Sequence, residues 1–457
     1  MAVSSVISGK PPRFYAVAWR WHFYAGLLVA PIMVLLALTG LIYLYKPQLD
    51  GWMYADRLFV TPAAPLAAEQ QLAAVRAAWP GATVQKFIPP PAPDRSSEFV
   101  LNTSQGPLTV FVDPATAQIL GSRDETWNLQ AVARRLHGTL LIGDTGDLLI
   151  ELAASWGLVL LASGLYLHWP RGRGMAGVLY PRFHATGRLF WRDLHAVTAF
   201  WGALLLAFML LSGMPWTGFW GERFAAVWSR FPAQMWNEVP KSTRKAVTLN
   251  VAGQTVPWAV EQTPLPHSTG HAHHGAALGG ATRPGVGLDH LISIATRYRV
   301  AAGYSISLPG DADGVYTVSV FPNDPRQEQT LHIDQYSGAV LASISFRNYG
   351  WVPKAVELGV AFHEGKLFGW ANKLLMTLAC LVVLLVAVSG VLIWWLRRPY
   401  GRLGAPTASA ATPPWKLGAL VLLGLGLLFP LLLGSLLLIW LLDQTLGRLA
   451  FWPVLRR

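Results

Sequence analysis

Apolar and polar positions alternate along this chain on two scales. Five runs are apolar for the length of a bilayer crossing: Phe23–Tyr45, Leu148–Trp169, Ala196–Gly218, Leu374–Leu396 and Leu417–Leu442. Each reaches the roughly 20 residues that the hydrocarbon layer requires. Only the second run carries a charged residue, Glu151. Between the first and second runs the pattern changes to that of a small α+β lobe. PLAAEQQLAAVRAAW predicts a helix over Leu66–Trp79, bounded by Pro65 and Pro80, and TVQKF, SEFVLNT and LTVFV alternate as strands, with a turn at Asp113-Pro114. Between the third and fourth runs the theme returns, with a helix over Leu288–Tyr298 and strands in GYSISLP, VYTVSVF and QTLHIDQYSGAVLASISF.

The second half repeats the first. Asp113–Leu120 aligns with Asp334–Leu341 at an offset of 221 residues, and the helices repeat more closely still. LHGTLLIG opens a segment in which His137 precedes Gly164 by 27 residues; FHEGKLFG opens one in which His363 precedes Gly390 by 27. A glycine lies six residues after each histidine (Gly143, Gly369), and Ser163-Gly164 and Ser389-Gly390 close the two runs. The other two spans are matched as well: His22 lies 18 residues before Gly40, and His195 lies 18 before Gly213. The expected layout is an N-terminal tail over 1–22, a span over 23–45, a lobe over 46–128 and a span with an outer extension over 129–169. An inside loop over 170–195, a span over 196–218, a lobe over 219–351 and an extended span over 352–396 follow. A loop over 397–416, a fifth span over 417–442 and a tail over 443–457 complete it.

Composition and charge sharpen this picture. The chain is 53% hydrophobic and 13% charged, with 21 tryptophans, which is a membrane protein's composition. Its net charge of +12 is concentrated in three short segments: the N-terminal tail, the loop after the second span and the loop after the fourth hold 12 basic residues against one acid, Asp193. The remainder carries 24 basic and 23 acidic residues. That placement is the positive-inside pattern, not a nucleic-acid footprint, and it puts the N-terminus in the cytoplasm and the lobes outside. The first span reads as an uncleaved anchor, since it is too long for a signal peptide's apolar region and no small-x-small site follows before Lys46. A single cysteine, Cys380, excludes an internal disulfide, a Cys-x-x-Cys-His haem attachment and an iron–sulfur cluster, and reads as a small buried apolar residue.

Four matched histidines at span ends carry the candidate chemistry. Paired imidazoles from different helices suit the axial positions of a haem iron, and intramembrane histidines are costly without such a partner. His22 and His195 begin their spans at the inner end, His137 and His363 precede theirs at the outer end, so the pairing is His22 with His195 and His137 with His363. From His137 to Gly164 an unbroken helix would be roughly 40 Å long, more than the hydrocarbon layer, and the GDTG at Gly143–Gly146 is a place to break it. His168 has Trp394 at the equivalent position and reads as an interfacial residue; His184 has no counterpart, and His290 and His332 read as surface or interface residues. Arg192 and Arg135, within three residues of a candidate ligand, could pair with a haem propionate. Glu151 could contact a helix end or a proton path. The insertion PHSTGHAHHG (His267, His271, His273, His274) could bind a transition metal.

RDLHAVT at Arg192–Thr198, SGMPWTGFWG after the third span, the VDPATAQILG turn and the HEGKLFG opening together resemble the PepSY-associated transmembrane family, over roughly Pro12 to Pro399. The resemblance implies an α-helical polytopic membrane protein in which a span, a PepSY-like α+β lobe and a span are duplicated into a four-helix core, with a fifth transmembrane helix added. The family includes bacterial inner-membrane proteins linked to iron uptake, among them ferric-siderophore reductases that carry haem b. The expectation is an inner-membrane electron-transfer protein with two haem b, periplasmic lobes, and electrons taken from quinol or a cytoplasmic reductase. Its acceptor would be a ferric siderophore or another iron(III) chelate. The outer-face aromatics Trp127, Trp216, Trp220, Tyr349, Trp351 and Trp370 read either as a docking rim for it or as ordinary interfacial anchors. No Walker, Ser-nucleophile or Rossmann motif is present, so the donor is a partner. The competing reading is a haem-free membrane regulator of a peptidase, or a metal-uptake accessory protein.

Overall fold

The structure is a computed structural model that describes residues 13–170, 175–230, 239–252, 255–268, 285–400 and 416–446. In chain order its first half runs α1 (Arg13–Leu44), α2 (Lys46–Met53), α3 (Ala55–Leu58), α4 (Ala68–Ala78), β1 (Thr83–Ile88), β2 (Ser97–Thr103), β3 (Gly106–Val112), β4 (Ile119–Asp124), α5 (Leu129–Thr139) and α6 (Asp144–His168). Next come α7 (Gly187–Gly213), α8 (Trp220–Trp228), β5 (Lys241–Lys245), β6 (Pro264–Pro266), α9 (Leu288–Arg297), β7 (Ser305–Ser307), β8 (Val315–Val320), β9 (Gln329–Asp334) and β10 (Val340–Ser345). Four helices close the chain: α10 (Trp351–His363), α11 (Gly369–Arg397), α12 (Lys416–Leu428) and α13 (Pro430–Leu446). They form two units: a helical one within Met1–Leu41, Arg135–Gly221 and Met376–Arg457, and a sheet one within Ile42–Arg134 and Glu222–Leu375.

In the helical unit, four helices are long and apolar enough to cross a membrane: Phe14–Leu44, Asp144–His168, Gly187–Trp216 and Gly369–Arg397. Much of their surface is apolar and exposed, as lipid-facing helices require, and the contacts between them run through small residues. Gly26 lies beside Leu160, Gly157 beside Leu210, and Gly202 beside Val382, where a methyl group would come within 2.8 Å of Cγ1. The fifth apolar run is not one helix. It is divided at Phe429 into α12 and α13, because Pro430 has no N–H to continue the ladder, and each piece is too short to span alone. The bend is packed rather than loose. Phe429 and Leu432 are buried with Ala25, Ala153, Trp156 and Val159, and Trp156 donates to Ser435 Oγ at 3.1 Å.

The breaks before α6 and α11 follow the repeated glycines. Gly143 has φ +62° and Gly369 φ +58°, conformations that disfavour any residue with a Cβ. The His137 helix stops at Thr139, after which Leu140 and Leu141 also take positive φ (+50° and +61°), and α6, 25 residues long, starts afresh at Asp144. At about 1.5 Å per residue its stretch from Asp144 to Gly164 covers roughly 30 Å, where an unbroken helix from His137 would have covered roughly 40 Å.

In the sheet unit the two lobes are not separate. Their strands make one antiparallel sheet of eight, in the order β10-β9-β8-β7-β1-β2-β3-β4. The junction is β1 with β7, where Lys86 stands opposite Ser307 and Phe87 opposite Ile306. Each of these strands would otherwise be an unpaired edge. One face is covered by α4 and α9, whose Leu72, Val75, Leu288, Leu291 and Ile294 pack on Phe87, Phe99, Leu101, Ile306, Val318 and Leu331. The two helices cap each other: Asp289 Oδ1 accepts the Ala68 N–H at 2.8 Å, and Glu69 Oε1 accepts the Leu288 N–H.

A second core holds two buried acids, Glu328 and Glu357, with the half-buried Glu261 beside it. Glu357 Oε1 on α10 accepts the Ala259 N–H at 3.0 Å, and Glu328 is within 3.5 Å of the Tyr349 hydroxyl. Burial pushes the Glu261 carboxyl up to about 7 from 4.5, and burial together with neighbouring carboxylates raises Glu328 and Glu357 as well. An acid whose folded pKa is raised favours the fold most below its unfolded pKa and loses that contribution as pH rises through the folded value. The thermal midpoint of the purified protein should therefore fall as pH rises from about 5 to above 7. In Glu328→Gln the fall should be smaller, which thermal melts followed by circular dichroism at the two pH values would measure.

Candidate functional site

Three of the four matched histidines lie in the helical unit, and each is held in the same way. His22 on α1 reaches α6, where its Nδ1 is 2.9 Å from Ser163 Oγ. The Ser163 hydroxyl donates to the Val159 carbonyl at 2.7 Å, so its oxygen is left to accept, and His22 Nδ1 carries the proton. His195 on α7 reaches α11 and donates from Nδ1 to the Val386 carbonyl at 2.9 Å, with Ser389 Oγ at 3.2 Å. His137 on α5 reaches α1, where Nδ1 lies 3.0 Å from a Thr39 hydroxyl already donated to the Leu35 carbonyl. In all three the proton sits on Nδ1 and the lone pair on Nε2. That is the tautomer of a metal-ligating imidazole whose orientation is fixed from the far side.

The glycines of the repeated motif make room for these rings. A Cβ on Gly164 would meet His22 Cε1 at 3.1 Å, one on Gly390 would meet His195 Cε1 at 3.5 Å, and one on Gly40 would meet His137 Cε1 at 3.5 Å. Three of the Ser/Thr-Gly pairs that close apolar runs, Thr39-Gly40, Ser163-Gly164 and Ser389-Gly390, are thus seats for a histidine on a neighbouring helix. Cys380 is buried next to the third seat, 3.8 Å from a Cβ on Gly40, as a small packing residue. Within the unit His22 and His195 face each other, their ring centres 6.4 Å apart and their planes at 86°. His363 closes α10 in the sheet unit.

The remaining candidates fall elsewhere. His168 Nε2 is bound to the Val178 carbonyl at 2.9 Å and its ring packs on Phe200. His184 is exposed. His267 donates its backbone N–H to Pro240; His271, His273 and His274 lie outside the described residues. His290 lies on α9 beside Gly338, but His332 is fully buried in β9 with Nδ1 2.9 Å from Thr317 Oγ1, not at a surface or interface. Among the described residues no group of three or more His, Cys, Asp or Glu is arranged to hold a metal ion. In the docking rim Trp127, Trp216, Trp351 and Trp370 are exposed and Trp220 is half-buried. Tyr349 is 3% exposed, its ring against Phe346, and belongs to the core.

Two acids that sequence reasoning left open or passed over organise the surroundings. Asp193, two residues before His195, is buried and accepts from Arg182 Nε at 2.6 Å and Nη2 at 2.8 Å, and from Arg192 Nη2 at 3.0 Å. It ties the preceding loop to the start of α7 and engages the Arg192 guanidinium. The signal was its isolation: one acid among 12 bases. Arg135 lies on α5, where its carbonyl accepts the Thr139 hydroxyl at 2.9 Å.

Glu151 is fully buried, and its Oε2 accepts the N–H groups of Phe219 at 3.0 Å and Trp220 at 2.9 Å, at the start of α8. Of its two sequence readings, the helix end is the contact it makes. Gly221 lets that turn close, since a Cβ there would lie 2.7 Å from the Pro215 carbonyl oxygen. Glu151→Leu should leave both amides buried without an acceptor and cost about 2–4 kcal/mol, with Glu151→Gln costing less. Thermal midpoints of the two variants against wild type would show the order.

No curated protein matches the chain. The sequence profile of the PepSY-associated TM region does, over residues 19–397, a stretch that takes in all four long apolar helices, both halves of the sheet and the four matched histidines. The chain is a membrane protein and belongs to the PepSY-associated TM region family.

Proposed function

We propose that this protein binds haem b between His22 and His195 and passes electrons across a bacterial inner membrane. The observation that carries the reading is the opposed pair of imidazoles. Two imidazole–metal bonds of about 2 Å each, together with the two ring radii, separate ring centres by about 6 Å. His22 and His195 stand 6.4 Å apart. Their Nδ1 atoms are engaged by Ser163 and Val386, which leaves Nε2 as the ligating atom on each ring. When bound, haem b supplies reversible one-electron chemistry. The chain's own part is to fix the two rings, to deliver them as neutral imidazole, and to surround them with apolar helix.

The same reading extends to His137 and His363 as ligands of a second haem b. Its support is the repeated 27-residue spacing in the sequence and the Nδ1-protonated state of His137. A duplicated ancestral unit accounts for both pairs. The reciprocal capping of α4 and α9 and the self-opposed Lys86–Ser307 register favour it. With the N-terminus in the cytoplasm, as the basic loops favour, the lobes are periplasmic. The acceptor there is an iron(III) chelate of the siderophore class, whose hard oxygen ligands hold iron(II) less well and release it on reduction. Quinol or a cytoplasmic reductase supplies the electrons.

Anaerobic reduction with dithionite followed by a ferric siderophore tests the acceptor. Haem reoxidation with iron(II) trapped by ferrozine is the expected result. Haem that stays reduced with every ferric chelate but is reoxidised by another acceptor would remove the siderophore and leave the electron path.

A further inference from the structure

Two arginines stand at one end of the helical unit in register with the His22–His195 pair. On α7, Arg188 precedes His195 by seven residues; on α11, Arg397 follows Gly390, the seat of the His195 ring, by seven. Seven residues make almost two helical turns. Each arginine therefore shares a helix face with the histidine or its seat, about 10 Å along the axis. Both displacements run toward the same end of the unit, the end at which α1 and α7 begin and α11 finishes. Trp19 on α1 lies there too, three residues before His22, and the Arg397 guanidinium sits over its ring at 4.0 Å.

The Arg188 and Arg397 guanidiniums, brought in by different helices, are close enough to repel each other. An anion between them would turn that cost into an attraction. Asp193 does not supply it, because its carboxylate is held by Arg182 and Arg192. We propose that Arg188 and Arg397 are positioning residues for the propionate edge of the haem held by His22 and His195.

The inference rests on the haem reading and adds to it the direction in which the cofactor points. Haem b carries two carboxylates on one edge of an otherwise apolar ring, and these charges need compensation when the ring enters an apolar bundle. Two guanidiniums match two carboxylates in number, and their paired N–H donors match carboxylate geometry. A ring contact uses the face of a guanidinium and a carboxylate uses its edge, so the Trp19 contact of Arg397 is compatible with the role and helps to hold the plane. Arg192, closer to His195 in sequence, is not the partner, since Asp193 engages it. The propionate edge then faces the basic loops, and the remainder of the ring faces apolar helix.

The test uses the full-length His137→Ala protein in detergent, prepared without haem, so that only the His22–His195 pair is complete. It is titrated with ferric haem b and, separately, with the dimethyl ester of the same haem, whose propionates carry no charge. The free acid should bind about tenfold or more tightly than the ester. Arg188→Gln and Arg397→Gln in this background should each weaken haem about tenfold and leave the ester unchanged, and Arg397→Lys should restore part of the preference. Arg398→Gln removes the same charge one residue on, from a guanidinium 3.5 Å over the exposed Trp395 ring, and should leave the preference intact. If an arginine variant does not fold, the comparison of acid with ester in the protein that keeps both arginines decides. Equal binding of acid and ester, or a preference unaltered in both Gln variants, would overturn the proposal and leave the haem site standing. Binding of neither would overturn both.

Discussion

His22→Ala should lose one haem of two, and His195→Ala should lose the same one. If the two rings hold one haem, as proposed, removing either imidazole takes away one of its two protein ligands. Haem per chain is expected to fall by about half in each variant, and the double variant should fall no further. His168→Ala should keep the full complement, because that ring is bound to the Val178 carbonyl. Ser163→Ala separates ligation from orientation. It removes the acceptor that fixes the His22 tautomer and should weaken haem retention about 10–100-fold without abolishing binding. Haem content by pyridine haemochrome across the five variants measures all of this. If His168→Ala emptied a site while His22→Ala kept two haems, the histidine pairing would be wrong.

Gly146→Ala should be among the most damaging single substitutions in the chain. A Cβ at this position would collide with the Thr139 carbonyl group, so the turn joining the His137 helix to α6 cannot keep its path. The Ile142 side chain, whose Cγ1 would be 2.9 Å away, could yield, but the nearer obstacle is backbone. We expect a loss of about 3 kcal/mol or more, at the upper end of what single substitutions cause. Gly143→Ala is the informative companion. Its φ is +62° with ψ −142°, a backbone region essentially reserved for glycine, yet a methyl group there meets nothing within 4 Å, so its cost is that conformation alone, about 1–2 kcal/mol. Thermal midpoints should fall in the order wild type, Gly143→Ala, Gly146→Ala. Equal midpoints for the two variants would mean that the turn yields more readily than its geometry indicates.

Much of this was legible in the sequence, for reasons that differ by residue. The four long helices follow from apolar runs, and α4 and α9 from amphipathic spacing between prolines and glycines. The break before α6 was readable from GDTG. The repeat made the histidines stand out, and the Ser/Thr-Gly closures were visible as part of it. What three of those closures do was not visible, because each serves a histidine on a different helix. Ser163 and His22 are 141 residues apart. Long-range pairing also hid the joining of the lobes: β1 and β7 look like ordinary edge strands until they are placed side by side. Two errors had local signals. Pro430, mid-run, marked the division of the fifth apolar segment, and the alternation of QTLHID places His332 among inward-facing residues once both sheet faces are known to be buried. For Tyr349, aromatic character alone could not separate a rim from a core.

The most direct test of the central claim is the visible spectrum of the purified protein, expressed with ample haem. The opposed, Nδ1-anchored imidazoles of His22 and His195 predict a red protein. Its reduced-minus-oxidised spectrum should be that of low-spin, bis-histidine haem b, approaching two equivalents per chain. A correctly folded protein that remains colourless under those conditions would contradict the claim.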